Sequence, residues 1–323
     1  MIYIETGSKD VFYDLAAEYY FAVEHPLDEP VFLFWQTTPT IVVGKYQNTL
    51  EEINRDYVEA HNIQVVRRLS GGGTVYADLG NWMYTFITYG DADEIQFHKY
   101  LAPIIAALGE IGVKAEFTGR NDLVVDGKKV SGTSQYKLKG NTVHHGTLLF
   151  NEDIEQMVAS TNVDAEKFLS KSIKSVRQRV TNISEHLPAP MDIEEFKDRM
   201  VAAILGDGKR YCMTEADKAR VNAIADEMFR PWERRYGSDP KSTMTNSARF
   251  AGGKVEVHLD VSKGVIRSAR LSGDFFASEK ADGLTERLIG CRYDRASVRA
   301  CLGDLADSIY GVTPDELIGL IVP

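Results

Sequence analysis

Arg67-Arg68-Leu69-Ser70-Gly71-Gly72-Gly73-Thr74-Val75-Tyr76 is the stretch on which the reading of this chain turns. The β-rich run Gln64-Val65-Val66-Arg67-Arg68 leads into it and strand character returns after it, so it reads as strand, glycine loop, strand. Three consecutive glycines let backbone N–H groups point one way and approach a ligand closely, which suits phosphate oxygens. Arg68, just before the loop, carries a planar fork of donors that fits the same anion. A lone Ser-Gly-Gly-Gly also fits a flexible hairpin with no ligand. The Walker cradle is excluded, because no Gly-Lys-Ser/Thr follows at its spacing. Gly206-Asp207-Gly208-Lys209 resembles one only superficially, since Ala203 and Arg210 fail the required positions.

Two further clusters stand out. Asn121-Asp122, an apolar triplet, the Asp126-Gly127 turn and Lys129-Val130-Ser131-Gly132 read as a β-hairpin. Strict alternation would put Lys129 and Ser131 on one side, where a lysine beside a glycine loop can neutralise charge developing on a phosphate. The bland alternative is a solvated lysine beside a turn. In His144-His145-Gly146-Thr147 the two histidines point to opposite faces of a strand and make no chelating pair. One is expected inside and hydrogen-bonded, the other exposed.

The surroundings supply the frame. Val31–Trp35 and Thr40–Val43 read as strands, and Val143–Phe150 returns to strand character. Tyr100, Leu101, Ile104, Ile105 and Leu108 repeat at helical spacing, predicting a helix over Phe97–Ile111, and another is expected over Ile193–Leu205. The stretch 237–243 holds turn formers and no apolar residue, the composition of a linker. Beyond it Val255, Val257, Leu259 and Val261 alternate with polar residues ahead of a Lys263-Gly264 turn, and the rest is mostly helical, so the tail is a small α+β unit. Trp35, Trp82 and Trp232 are read as core or hinge packing.

Composition narrows the class. A chain of 323 residues with 26 Gly and 10 Pro has room for two domains and no fibrous or disordered bias. A net charge of −10 argues against a general nucleic-acid binder, which needs a basic face. No apolar run approaches the roughly 20 residues of a membrane helix, and the stretch 1–10 lacks the pattern of a signal peptide. Cys212, Cys291 and Cys301 are widely spaced and suggest neither zinc nor a disulfide framework. A cytoplasmic protein is expected. The segment 164–180 carries net charge +3 inside an otherwise acidic first domain, as a solvated helix face or as a mobile covering loop that also steers an acidic partner.

Taken together, the three clusters resemble the lipoate–protein ligase A family. The resemblance continues through Ser175-Val176-Arg177-Gln178-Arg179-Val180-Thr181-Asn182 and into the tail at Gly252-Gly253-Lys254-Val255-Glu256-Val257-His258. It implies an α+β fold shared with biotin–protein ligases: a catalytic domain with mixed sheets and flanking helices over residues 1–240, and a small α+β accessory domain over 246–323. The implied activity joins lipoate to ATP, with Mg²⁺, giving lipoyl-AMP and pyrophosphate. The lipoyl group then passes to a lysine of a carrier domain, as in 2-oxo-acid dehydrogenase acyltransferase subunits and the glycine cleavage H protein. By the same resemblance Arg68, Gly73, Thr74, Val75 and Tyr76 hold the nucleotide phosphates and adenylate, and Lys129 is the essential lysine. Gly71, Gly72, Asn121, Asp122, Gly132, His145 and Gly146 line the same site. Lys45 stands where many relatives carry arginine, and the loss of a bidentate fork leaves it outside this set.

Three other readings are weighed against this one. An ATP-independent acyl transferase of the same superfamily needs a site cysteine for its thioester, and none precedes Cys212. A catalytically silent binder has no use for Arg68, the glycine run and Lys129 together. A biotin substrate would bring a Gly-Arg-Gly-Arg loop, which this chain lacks. A folded variant with Cys212, Cys291 and Cys301 all changed to Ser is therefore expected to keep transferring the lipoyl group. Loss of transfer, with an acyl thioester seen by mass spectrometry on the unaltered protein, would favour the transferase.

Overall fold

A computed structural model describes residues 1–47, 49–90, 95–118, 121–161, 173–235, 244–262 and 264–323. Its strands are β1 (Ile2–Ile4), β2 (Val31–Trp35), β3 (Thr40–Val43), β4 (Gln64–Arg67), β5 (Val75–Ala77), β6 (Asn81–Thr88) and β7 (Glu116–Thr118). They continue with β8 (Asp122–Val125), β9 (Lys128–Leu138), β10 (Asn141–Leu149), β11 (Lys209–Tyr211), β12 (Met244–Phe250), β13 (Gly253–Ser262) and β14 (Val265–Gly273). The main sheet runs β11-β1-β2-β6-β10-β9-β8-β7. It is mixed: β1 lies parallel to β2 and β11, while β2, β6, β10 and β9 follow one another antiparallel.

The continuous apolar run of β2 marks a strand covered on both faces. Phe32 and Phe34 face one core with Trp82, Tyr84 and Phe86 of β6, closed by helices Phe97–Glu110 and Ile193–Leu205. Val31, Leu33 and Trp35 face the other, closed by helices Val11–Tyr19 and Glu215–Ile224. Burial of each large side chain contributes roughly 1.5–3 kcal/mol, which makes this doubly covered sheet the rigid floor of the molecule.

A second sheet, β4-β3-β5, carries the glycine loop. β4 pairs parallel and β5 antiparallel with the same strand, β3, so both ends of the loop are fixed to one support. The tail forms a third, antiparallel sheet, β12-β13-β14, with helices Leu284–Leu288, Arg295–Leu302 and Pro314–Ile321 on its apolar face. Val255, Val257 and Leu259 are fully buried there, in a core of the tail's own that includes Cys291. The linker stretch 237–243 lies outside the described residues, as do Gly119, Arg120 and most of the basic segment, 164–172. Trp35 and Trp82 are buried, but Trp232 is 56% exposed on the short helix Trp232–Arg235, so a core role for it is corrected.

The tail is docked on the first unit through the turn after β14. Gly273 N–H donates to the Tyr46 carbonyl at 2.6 Å, and the Phe275 ring stacks on Tyr46 with centroids 4.4 Å apart. Phe276 leaves the tail's core and enters the first unit's, meeting Phe97 edge-on at 5.4 Å with 2% of its surface exposed. Lys45 pairs with Asp282 across the same junction, an exposed pair worth little by itself. Phe276 is thus the anchor. Phe276→Ala should cost about 3–5 kcal/mol of docking and core packing, measured by denaturant unfolding. Faster hydrogen exchange at the Gly72 amide should accompany it. Wild-type stability in this variant would contradict the anchoring role.

Candidate active site

The glycine loop takes its shape from the arginine beneath it. Arg68 is buried and donates Nε–H to Ser70 Oγ (3.0 Å), Nη1–H to the Val42 carbonyl (3.0 Å), and Nη2–H to the carbonyls of Gly71 (2.8 Å) and Gly73 (2.7 Å). With the loop carbonyls drawn towards the guanidinium, the peptide units between them are set. Burial pushes the Arg68 guanidinium down to about 10, against the pull of the Glu18 carboxylate, so it stays charged at neutral pH. Arg67 braces the neighbouring turn in the same manner, donating to the carbonyls of Gly44 (2.9 Å) and Gln47 (2.6 Å) and to Thr49 Oγ1 (2.6 Å). Gly72 sits at φ +89°, where a side chain is strained. A Cβ at Gly71 would lie 2.3 Å from the Phe275 carbonyl oxygen. That oxygen accepts from Gly72 N–H at 3.0 Å, so the tail's turn sits directly on the loop.

Behind the loop lies a cavity of about 90 Å³. Leu15, Val42, Val75 and Met83 give it an apolar side; Gly72, Gly73, Thr74, Asn121, Lys129 and Gly132 give it a polar one. Arg68, Thr133, Ser134, His145, Gly146 and Thr147 complete the wall. The structure thus brings together most of the residues singled out in the sequence. Three stand apart. Tyr76 turns into a small core with Ile41 and Val43 and directs its hydroxyl to Asp78 and Gln156. Gly71 borders a separate cavity of about 510 Å³ between the two units. Asp122 reaches the site through Lys129, whose Nζ lies 2.8 Å from Asp122 Oδ1.

Lys129 corrects one expectation. The pairing of β8 with β9 shifts register, from Leu123↔Ser131 to Val124↔Lys129, leaving Val130 as the extra residue of a bulge. Strict alternation therefore breaks at Val130. Ser131 points with Leu123 into the sheet's buried side, while Lys129 stands with the Asp122–Gly132 pair at the cavity. The segment Ser175–Asn182 holds it there: Lys129 N–H donates to the Arg179 carbonyl (2.7 Å) and Thr181 N–H to the Lys129 carbonyl (3.0 Å).

The histidines correct another. Both are buried, because helices cover both faces of the strand they share. His144 stacks on Tyr100 at 4.7 Å and bonds Thr133 Oγ1 through Nε2; burial holds its imidazole well below the usual range. His145 faces the cavity wall, with Nε2 2.7 Å from Ser70 Oγ and Nδ1 2.9 Å from Glu18 Oε2. Glu18 was not singled out from sequence. The clue is that Asp14 and Glu18 fall at core spacing with Val11 and Leu15 on helix Val11–Tyr19, and all four are buried.

Comparison with known proteins gives the family. Residues 10–205 match the lipoyl protein ligase A/B catalytic domain, and residues 239–321 match the bacterial lipoate protein ligase C-terminus. The chain is 39% identical to the lipoate-protein ligase LplJ of Bacillus subtilis, over 99% of this chain and 100% of that one. It is 40% identical to lipoate–protein ligase 1 of Staphylococcus aureus, over 95% of each. The chain belongs to the lipoate–protein ligase family. Among solved structures, P. falciparum LipL1 in complex with lipoate shares the fold over 99% of this chain and 98% of its own, at 20% identity and a TM-score of 0.81. Arg68→Lys should fail at this site although charge is kept, because an ammonium cannot reach four separated acceptors. Loss of about 3 kcal/mol of stability is expected from the unpaired carbonyls, seen as a lower midpoint in denaturant. A lysine variant as stable as the parent would refute the bracing role.

Proposed function

We infer that the chain is an ATP-dependent lipoate–protein ligase. The observation that carries this is the cavity itself: an apolar wall of Leu15, Val42, Val75 and Met83 ends at Lys129 and at a glycine loop fixed from beneath. A slim acyl chain fits the apolar side and leaves its carboxylate at the polar end. Gly72, Gly73, Thr74 and Val75 are then placed to meet phosphate oxygens with backbone donors, with Asn121, Gly132, His145 and Gly146 walling the adenylate. In place of the direct fork–phosphate contact expected from sequence, Arg68 acts through the loop it shapes. Tyr76 supports β5 from the far side, and Gly71 gives the tail's turn room to approach.

In the first half-reaction a carboxylate oxygen of lipoate bonds to the α-phosphorus of ATP and the bond to the β-phosphate oxygen breaks. Lipoyl-AMP and pyrophosphate result. The charge that develops is met by Lys129, which exchanges Asp122 for the phosphoryl oxygens. Among the described residues no group of three or more His, Cys, Asp or Glu stands ready to hold a metal. A resident ion would need such a set, whereas Mg²⁺ carried on nucleotide phosphates needs one or two carboxylates, and Asp122 suits that role. When bound, Mg²⁺ supplies further charge neutralisation at the phosphates. Closure of the cavity by the docked tail would keep water from the mixed anhydride.

In the second half-reaction the amine of a carrier lysine attacks the lipoyl carbonyl and AMP leaves. No nucleophile of the enzyme is required, and none of the three cysteines lines the cavity. The carriers are lipoyl domains, taken as cytoplasmic partners. No described helix is long and apolar enough to cross a membrane. The two functional units are taken as residues 1–240 and 246–323.

Lipoate-dependent exchange of pyrophosphate into ATP is the deciding assay. Lys129→Ala should lower exchange by two to three decades, about 3–4 kcal/mol of transition-state stabilisation. Lys128→Ala, on a side chain pointing to the other face of β9, should exchange normally. Equal losses at both, or none at Lys129, would sink the assignment.

A further inference from the structure

A single hydrogen-bonded chain runs from the floor of the main sheet to the glycine loop. Trp35 Nε1–H donates to Thr85 Oγ1 at 3.1 Å, and Thr85 donates to Glu18 Oε1 at 2.6 Å. His145 Nδ1 lies 2.9 Å from Glu18 Oε2, His145 Nε2 lies 2.7 Å from Ser70 Oγ, and Arg68 Nε–H donates to Ser70 Oγ at 3.0 Å. Glu18, Ser70 and His145 are all buried, at 1%, 0% and 5% exposure.

One arrangement of the protons lets each hydroxyl in this chain both accept and donate. Indole and guanidinium only donate. Thr85 therefore accepts from Trp35 and gives its hydrogen to Glu18. Ser70 accepts from Arg68 and gives its hydrogen to His145 Nε2. With Nε2 accepting, the imidazole carries its proton on Nδ1 and donates it to the Glu18 carboxylate. The two formal charges, on Arg68 and Glu18, are both removed from water, and the Ser–His bridge is the hydrogen-bonded path between them.

We propose that Glu18 and Ser70 are positioning residues of the adenylation step, acting through His145 to hold the Arg68 guanidinium against the Gly71 and Gly73 carbonyls. Neither need touch a substrate to do so. Without the Ser70 hydroxyl, Nε loses its acceptor, one of the four bonds that fix the plane of the guanidinium. The two loop carbonyls are then held by a less constrained donor, although Gly71 keeps a second one in Ser134 Oγ at 2.9 Å, and the N–H groups between them are less firmly aligned. Without the Glu18 charge, the imidazole loses its anchor and the same loosening follows from the other end.

The test uses the full-length protein with Ser70→Ala, Glu18→Gln and the double variant. Nitrogen-15 NMR of the His145 ring in the unaltered protein should show the proton on Nδ1, and Ser70→Ala should disturb that signature. Hydrogen exchange at Gly71–Gly73 should quicken in both single variants. The kinetic arm rests on the ligase reading: kcat/KM for ATP in pyrophosphate exchange should fall about tenfold to a hundredfold in each, as for a lost hydrogen bond to a charged group. Members of one chain are not additive, so the double variant should lose no more than the worse single one. A proton on Nε2, additive losses, or either single variant exchanging like wild type would overturn the proposal. An unaltered protein without any lipoate-dependent exchange would instead overturn the ligase reading. The NMR and hydrogen-exchange arms would still decide the relay.

Discussion

The fixed point of this structure is the Arg68 guanidinium, buried beneath the glycine loop and bonded to two of its carbonyls. Backbone amides bind anions well only when several point the same way, and three glycines in a row have too much freedom to arrange that unaided. The arginine removes the freedom from below. The β3 strand removes it at both ends, by pairing with β4 on one side and β5 on the other. The cost is a desolvated cation, which becomes tolerable because Glu18 lies within the same dry interior and every link between them is a hydrogen bond. Floor, loop and charge balance are therefore one arrangement.

From above, the same loop is met by the tail. Phe275 offers its carbonyl to Gly72 N–H, and Phe276 seats itself among Phe97 and the aromatic residues of the first core. An acceptor on Gly72 N–H is what an anion would be, and the docked tail supplies one through the Phe275 carbonyl. The tail's turn is therefore in direct hydrogen-bond contact with the loop, with no element between them. The large ring of Phe276 makes the docked state specific, while the neighbouring Lys45–Asp282 pair is too exposed to hold it alone.

Much of this was legible in the sequence where one local rule governs a segment. The apolar run Val31–Trp35 and the helical repeat over Ile193–Leu205 form elements with those same bounds, because buried strands and amphipathic helices announce themselves by period. The motif residues around the glycine loop, Lys129 and His145 do meet at one cavity. What failed did so where tertiary structure overrides the local rule. A bulge at Val130 is a register choice made between strands, so alternation within one strand could not show which face Lys129 takes. The exposure expected of one histidine assumed a sheet with one wet face, and helices from distant parts of the chain cover both. Tyr76 was carried into the site by its place in the motif, yet β5 directs its ring the other way. Glu18 escaped because a lone acid in an amphipathic helix is ordinarily solvated, and only its spacing with Val11 and Leu15 says otherwise.

The division of labour also bears on how two chemistries share one cavity. Adenylation needs charge stabilisation at phosphorus, and the groups able to give it, Lys129 and the loop amides, sit at the polar end on rigid strands. Transfer needs access to a carbonyl carbon and little else, since AMP is already a good leaving group. On the proposed reading, a cavity closed by the tail for adenylation and opened for the carrier lysine would serve both in turn. A cysteine relay would add a second acyl transfer inside the cavity without relieving either demand. The site's investment in fixed donors, with no thiol among its walls, follows from that asymmetry.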